Sequence, residues 1–487
     1  MVLFKRIVAL AIVILMLFSI AACTFGEQGT QETQSNGSAG SSLNEETDSE
    51  SPFYGYDSPV KDFGGYEFKM LVADGGYGLE IYTVDEYSSS AIEQKIYERN
   101  QIIEERLNIT MYSETVDYRQ VRTSIETLCS TNTFEYDFFT LPMTAGMPYV
   151  IKGYMSPDTL MADYTDMSRV WWDDAAASQL ATNGVNYTYI GDAVLHYFES
   201  MWVMAYNNDI AERIHLPNIA EVALEGDWTL EMLYNYSEEA YVDTDNSSSK
   251  TNGDVFGMTI PNTFVQAMLI TSDESLLEYD EKNYPSFNGF SNRAVDIFDR
   301  ITKDFYQNEK VFIGPRDNEV NGGDFHDVFL NGEALFYAEP MGSLQKLREA
   351  TFDFTVIPLP KYDDESEYLT GIQRYSSSIY VPNTTPDYER TGIILENLMY
   401  QSYVNVRETY FESIASLQRV RNEDSYRVLK EIVFASDKRV SMALVYDFGG
   451  MGDSIIEYAF ANKSLSTLGA SLKRGLNAEI DKVLSAR

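Results

Sequence analysis

The chain has 487 residues, 44% of them hydrophobic, and carries 75 acidic against 36 basic side chains for a formal charge of −39. So negative a protein is repelled by nucleic acid and by anionic lipid surfaces, which excludes both as partners held by charge. The length exceeds what one ordinary core fills and suits two lobes of normal domain size.

The first segment, MVLFKRIVALAIVILMLFSIAAC, sets Lys5 and Arg6 before an apolar run from Ile7 to Ile20 and small residues before Cys23. A run shorter than the ~20 residues that cross a bilayer, with a basic start and a small-residue end, is a secretory signal pattern. Ile20-Ala21-Ala22-Cys23 resembles the lipobox at which bacterial prolipoproteins are acylated and cut. The resemblance implies a signal peptide over residues 1–22, lipid on Cys23, and a body held at the cell membrane on its extracellular or periplasmic side. From Thr24 to about Pro52 the chain is dominated by Ser, Gly, Thr, Gln and Glu and has too few apolar side chains to offset the entropy of ordering. Residues 23–60 are therefore expected to be the lipidated cysteine and a disordered tether.

Tyr66 to Ala73 (YEFKMLVA) has the character of a buried first strand, closed by the turn-forming Asp74-Gly75-Gly76-Tyr77-Gly78. AIEQKIYERNQIIEERLNITM places Ile92, Ile96, Ile103 and Leu107 on one helical face and then runs into β-prone Ile109 to Tyr112. A helix over Arg119 to Leu128 and the apolar run YDFFTL complete a strand–helix–strand–helix–strand order, which is α/β wiring with a parallel sheet. With Cys23 assigned to lipid, Cys129 in SIETLCS has no disulfide partner and is expected in the core.

Further on, SMWVMAYNN is a strand candidate, and Asp227 or Thr229 can cap a helix that buries Trp228 at its start. Asn331-Gly332 is a turn before the strand Ala334 to Ala338, with a helix starting at Gly342 or Ser343. FDFTVIPLPKYDD adds a strand stopped by Pro358 and Pro360, and from about Asp387 the pattern is mostly helical.

His196, His215 and His326 stand singly, with no HExxH, GxSxG, P-loop or GxGxxG signature, so these motifs call for no catalysis, cofactor or metal. Asp243, Asp245, Ser247, Ser249 and Asp254 echo a calcium loop, but Ser248 stands where that loop needs Gly and Asp replaces its final Glu; a solvated loop is the expectation.

In order, the first strand, RNQIIEERLNI, YDFFTL, WVMAYNNDIAERIHL with DWTLEMLYNYSEEA, FLNGEALFYAEP and FTVIPLPKYDD resemble the carbohydrate-type extracellular solute-binding proteins of ABC importers, the group that includes maltose-binding protein. Two departures are Asn208, where that family often has Lys, and a long aromatic insertion between Leu141 and Ser200. The resemblance implies an α/β, two-lobed periplasmic-binding-protein-like fold of type II, each lobe a mostly parallel sheet flanked by helices, the two joined by hinge crossovers. The first lobe would take residues 61–195 and 371–430, the second 196–370, with C-terminal helices over 431–487 mainly on the second.

It also implies a monomeric, non-enzymatic receptor that gives a small solute, a sugar or oligosaccharide, to ABC permease subunits. A surface glycoside-acting enzyme and a receptor for a peptide or other non-sugar solute are the alternatives. A sugar site pairs an aromatic platform with polar side chains that hydrogen-bond hydroxyls. In the strand-end loops and crossovers the candidates are Trp171, Trp172 and Trp202 for stacking, with Tyr77 and Tyr375 beside them. Asp74, Asp192, Glu199, Glu339, Arg374 and Asp447 are the candidates for hydroxyl contacts.

Overall fold

A computed structural model describes residues 57–74, 81–84, 88, 90–182, 184–281, 284–415 and 423–485; the expected signal peptide, Cys23, most of the tether and Tyr77 lie outside them. The first sheet starts with β1 (Tyr66–Asp74), where Phe68, Met70, Leu71, Val72 and Ala73 are all buried. Burial on both faces is what a parallel sheet with helices on either side requires. Helix α1 (Ala91–Leu107) begins where the Ser90 side chain accepts the Glu93 N–H, and it ends at Asn108 in the left-handed region (φ 48°). β2 (Ile109–Asp117) follows, then α2 (Tyr118–Ser130), capped by Asp117, then β3 (Phe138–Pro142) and α3 (Met143–Ile151). Buried Cys129 is a free thiol that burial pushes up to about 11.

After the short helix α4 (Leu195–Glu199) the chain enters β4 (Trp202–Asn207). The second sheet is built from β4, β5 (Phe256–Pro261), β6 (Val311–Gly314), β7 (Ala334–Pro340) and β8 (Phe354–Pro358). Between them lie α5 (Leu230–Ala240), capped by Thr229, then α6 (Phe264–Thr271), α7 (Phe325–Leu330) and a 3-10 helix at Met341–Glu349. Trp228 is fully buried and donates its indole N–H to the Pro358 carbonyl. Two-residue β9 (Thr370–Gly371) precedes β10 (Ser377–Tyr380), which returns to the first sheet. Helices α8 (Tyr388–Asn405) and α9 (Arg407–Ala415), strand β11 (Lys438–Arg439) and helices α10 (Met451–Phe460) and α11 (Leu465–Ser485) complete the chain. Among the described residues, no helix is long and apolar enough to cross a membrane.

The strand orders are β10-β3-β1-β2 and β8-β4-β7-β5-β6. In the first sheet β1 runs parallel to β2 and β3, while β10 is antiparallel to β3. In the second β5 is parallel to β6 and β7, while β4 is antiparallel to both β7 and β8. Each sheet thus has one reversed strand, and in each it is the strand the chain enters on crossing from the other sheet.

The chain crossings lie side by side. Met201 bridges Ile372, Gln373 donates its N–H to the Ser200 carbonyl (2.9 Å), and β9 pairs in parallel with β11. One part of the expected division shifts: residues 423–433, placed by sequence partly in the first lobe, pack on the second sheet. There Ser425 Oγ accepts the Val356 N–H (2.8 Å) and Arg427 pairs with Glu221 (2.6 Å).

The aromatic insertion wraps onto α8. Trp171 and Trp172 are buried and both indoles donate to one carboxylate, Trp171 to Glu396 Oε1 and Trp172 to Glu396 Oε2, each at 2.8 Å, with the Asp166 N–H adding a third donor at 3.0 Å. The expected stacking role for these tryptophans is corrected accordingly: they anchor the insertion inside the first lobe. Glu396→Gln keeps the shape but sets an amide N–H2 against one of these N–H donors. An unmet buried donor costs about 1–3 kcal/mol, so urea denaturation should show a loss of that size, and an unchanged midpoint would exclude the clamp as the anchor.

Candidate functional site

β7 ends at Pro340, which has no N–H to continue a ladder, and the chain turns directly into the 3-10 helix. Gly342 is required there because α4 comes close: a Cβ would lie 2.9 Å from the Glu199 Cβ. Beside this contact opens a cleft of about 860 Å³. One wall is the start of α1, from Ser90 to Ile92; the other is the end of β7 and the 3-10 helix, with Glu339, Ser343, Lys346 and Arg348. The crossings contribute Ser200 and Gln373, α4 contributes His196 and Glu199, and α9 contributes Ser413.

The polar groups are held in place. Glu199 and His196 are each 4% exposed, and His196 Nδ1 accepts the Ser377 N–H at 3.1 Å, which leaves the ring proton on Nε2 in the neutral imidazole. Glu339 accepts the Ser343 hydroxyl at 3.2 Å, and burial pushes its carboxyl up to about 7 against the pull of Lys346. The Lys346 ammonium lies 2.6 Å from His326 Nε2, and His326 Nδ1 lies 2.6 Å from the Tyr337 hydroxyl. Burial, and next the adjacent Lys346, push His326 down to about 4, so the ring is neutral, accepts the ammonium N–H at Nε2 and donates from Nδ1 to the Tyr337 hydroxyl.

Glu199 and Glu339, from two of the expected loops, thus line the cleft. The other candidates are placed elsewhere. Trp202 is buried at the start of β4 and, with Arg374 and Tyr375, lines a separate crevice of about 20 Å³, room for roughly one water. Arg374 pairs with Asp447 (3.3 Å) and Asp453 (2.9 Å) and donates to the Tyr375 hydroxyl (2.8 Å), so Arg374, Tyr375 and Asp447 form a knot tying the second crossing to the C-terminal segment. Asp192 is buried against Arg407 (3.4 Å), and burial pushes it up to about 7. Asp74 is the exposed last residue of β1 and is not among the lining residues.

Among the described lining residues there is no Trp, Tyr or Phe, so the expected platform is not found there. Sequence reasoning passed over Lys346, Arg348 and Ser90. A helix entered straight from a strand that stops at Pro340 was the signal for the first two. In the acidic loop, Asp254 accepts four donors from Thr244 and Thr251 while Asp243 and Asp245 accept N–H groups of Ser247 and Ser248, so these carboxylates shape the turn.

The raised Glu339 carboxyl has a pH signature. Its ordinary value is 4.5, so between about 4.5 and 7 the unfolded chain releases this proton before the folded chain does, and the contribution to stability falls as pH rises through that window. Glu339→Gln removes the titration. Its melting temperature relative to the parent should rise from pH 5 to pH 7.5, and a pH-independent difference would rule out the raised carboxyl.

No protein-family model matches the chain, and no curated protein does. Solved structures do. An ABC substrate-binding protein of Listeria monocytogenes in complex with cycloalternan is 14% identical, with 86% of this chain and 99% of that one covered at a TM-score of 0.53. A sugar transporter protein of Rhizobium etli in an open conformation is 11% identical, covering 87% and 100% at 0.56. UgpB of Mycobacterium tuberculosis, in complex with glycerophosphocholine, is 15% identical, covering 86% and 99% at 0.53. Likeness across nearly the whole of each neighbour, with two mixed sheets each reversed at one strand, gives the chain the two-lobed, type II periplasmic-binding-protein-like α/β fold.

Proposed function

We propose that the chain is the solute receptor of an ABC importer: it captures a saccharide between its lobes and delivers it to permease subunits, as a monomer and without a chemical step. The observation that carries this reading is the cleft whose walls come from the two lobes and whose remaining lining comes from the hydrogen-bonded crossings. A solute touching both walls binds the closed form better than the open one, and that differential affinity drives closure. The saccharide assignment draws on the structural neighbours solved with cycloalternan or described as a sugar transporter. The receptor is held at the outer face of the membrane by lipid on Cys23, a reading supported by the lipobox-like Ile20-Ala21-Ala22-Cys23.

A glycan panel in a thermal-shift assay tests capture, since a ligand at 100 times its dissociation constant adds about 2.7 kcal/mol of stability. The hit should also lower the radius of gyration in solution scattering as the lobes close. A peptide that shifts the melting temperature where no glycan does would remove the saccharide from the reading. One observation favours an enzyme instead: Glu199 and Glu339 share the cleft, and a carboxyl at about 7 can serve as a general acid. Release of reducing ends from a bound glycan would establish it.

For the tether, Cys23→Ala should leave the protein without acyl chains and, if the signal peptide is still cut, free in the medium or periplasm. A variant that remains labelled by fatty acid at the membrane would refute lipidation at this residue.

A further inference from the structure

The 3-10 helix at the cleft carries two exposed cations, Lys346 and Arg348, on one wall. Lys346 makes its close contact with the neutral His326 ring, and no carboxylate lies within ion-pair reach among the described residues. A carboxylate partner would orient an ammonium and also cancel its charge. A neutral imidazole orients it and leaves the charge whole, with two of its three N–H donors still to be used. Tyr337 and the buried surroundings fix that imidazole in turn. Arg348, two residues on, makes no hydrogen bond or ion pair among the described residues, so its guanidinium fork is open to a bidentate acceptor. Lys346 lies within electrostatic reach of the Glu339 carboxyl but makes no ion pair with it, and with Arg348 beside it the two cations of one cleft wall mark where an anion is received.

The same cleft holds Glu199 and Glu339, whose carboxyl oxygens accept from hydroxyl groups and, where ionised, repel an anion placed beside them. The acceptors and the cations therefore serve different parts of one solute. We infer that the solute is an acidic saccharide, its carboxylate or phosphate received by Lys346 and Arg348 and its hydroxyl groups by Glu199 and Glu339. This rests on the receptor reading and sharpens it to a charged class of sugar.

Matched pairs test it by calorimetric titration of the purified full chain: tetragalacturonate against galactotetraose for the carboxylate, and glucose 6-phosphate against glucose for the phosphate. The acidic member of at least one pair should bind, its neutral partner at least tenfold more weakly, and its affinity should fall as salt rises. Whichever acid binds names the group. Arg348→Gln, at a side chain with no internal partner among the described residues, and Lys346→Gln should each weaken the acidic ligand about tenfold or more and flatten the salt dependence of the binding that remains. Neutral partners that bind as well as the acids, or variants that leave acid binding intact, would overturn the acidic class and keep the receptor. No binding by any of the four would overturn the inference, and a glycan panel that also shows none would take the receptor reading with it.

Discussion

The architecture depends on chain crossings that are hydrogen-bonded to one another. Because Ser200 to Met201 pairs with Ile372 to Gln373, and Thr370 to Gly371 with Lys438 to Arg439, the lobes are joined by a small ribbon and not by independent linkers. Ribbon strands resist sliding and twist more easily than they stretch, so relative motion is confined to bending about them. A chain leaving the ribbon enters its new sheet against the direction of the strand beside it, as β4 and β10 do. Ser200 and Gln373, next to those pairings, become part of the cleft, so the joint and the binding surface are one piece of backbone.

Inside the first lobe two buried ionisable side chains make hydrogen bonds to neutral groups. Arg99 donates to the Tyr82 carbonyl, the Asn100 side chain and Ser402, and Glu396 receives the two indoles and the Asp166 N–H. Ser402 and Glu396 both belong to α8, so one helix is fixed against α1 at one point and against the aromatic insertion at the other. Desolvating a charge is costly, and the compensating bonds exist in one arrangement only. The result is a helix with a specified rotation and height, which apolar packing alone would leave less sharply defined.

Strand and helix order was legible because it rests on local periodicity: β1, α1 and β7 follow the apolar patterns of Tyr66 to Ala73, Ile92 to Leu107 and Ala334 to Ala338. Trp228 was legible for the same reason, since a helix start fixes its surroundings. The roles of Trp171 and Trp172 were not, because Glu396, more than two hundred residues away, decides them. Arg374 and Asp447 were expected at the ligand, yet Arg374 is spent on Asp447 and Asp453. Lys346 and Arg348 carry no motif at all; their meaning comes from the sharp turn after Pro340 and from the distant His326. Local pattern encodes elements, whereas a site is encoded by pairings between elements that no window of sequence contains.

The return strand has a further consequence for the order of folding. The first sheet begins at Tyr66, yet its edge against β3 is filled only by Ser377 to Tyr380, so most of the chain must exist before that sheet is whole. Closing so long a loop is entropically expensive and slow. Until then β3 presents an unpaired edge, and the early lobe remains open to other strands. A newly made chain should therefore pass through a state in which every strand of the second sheet has been made and the first sheet still lacks its return strand.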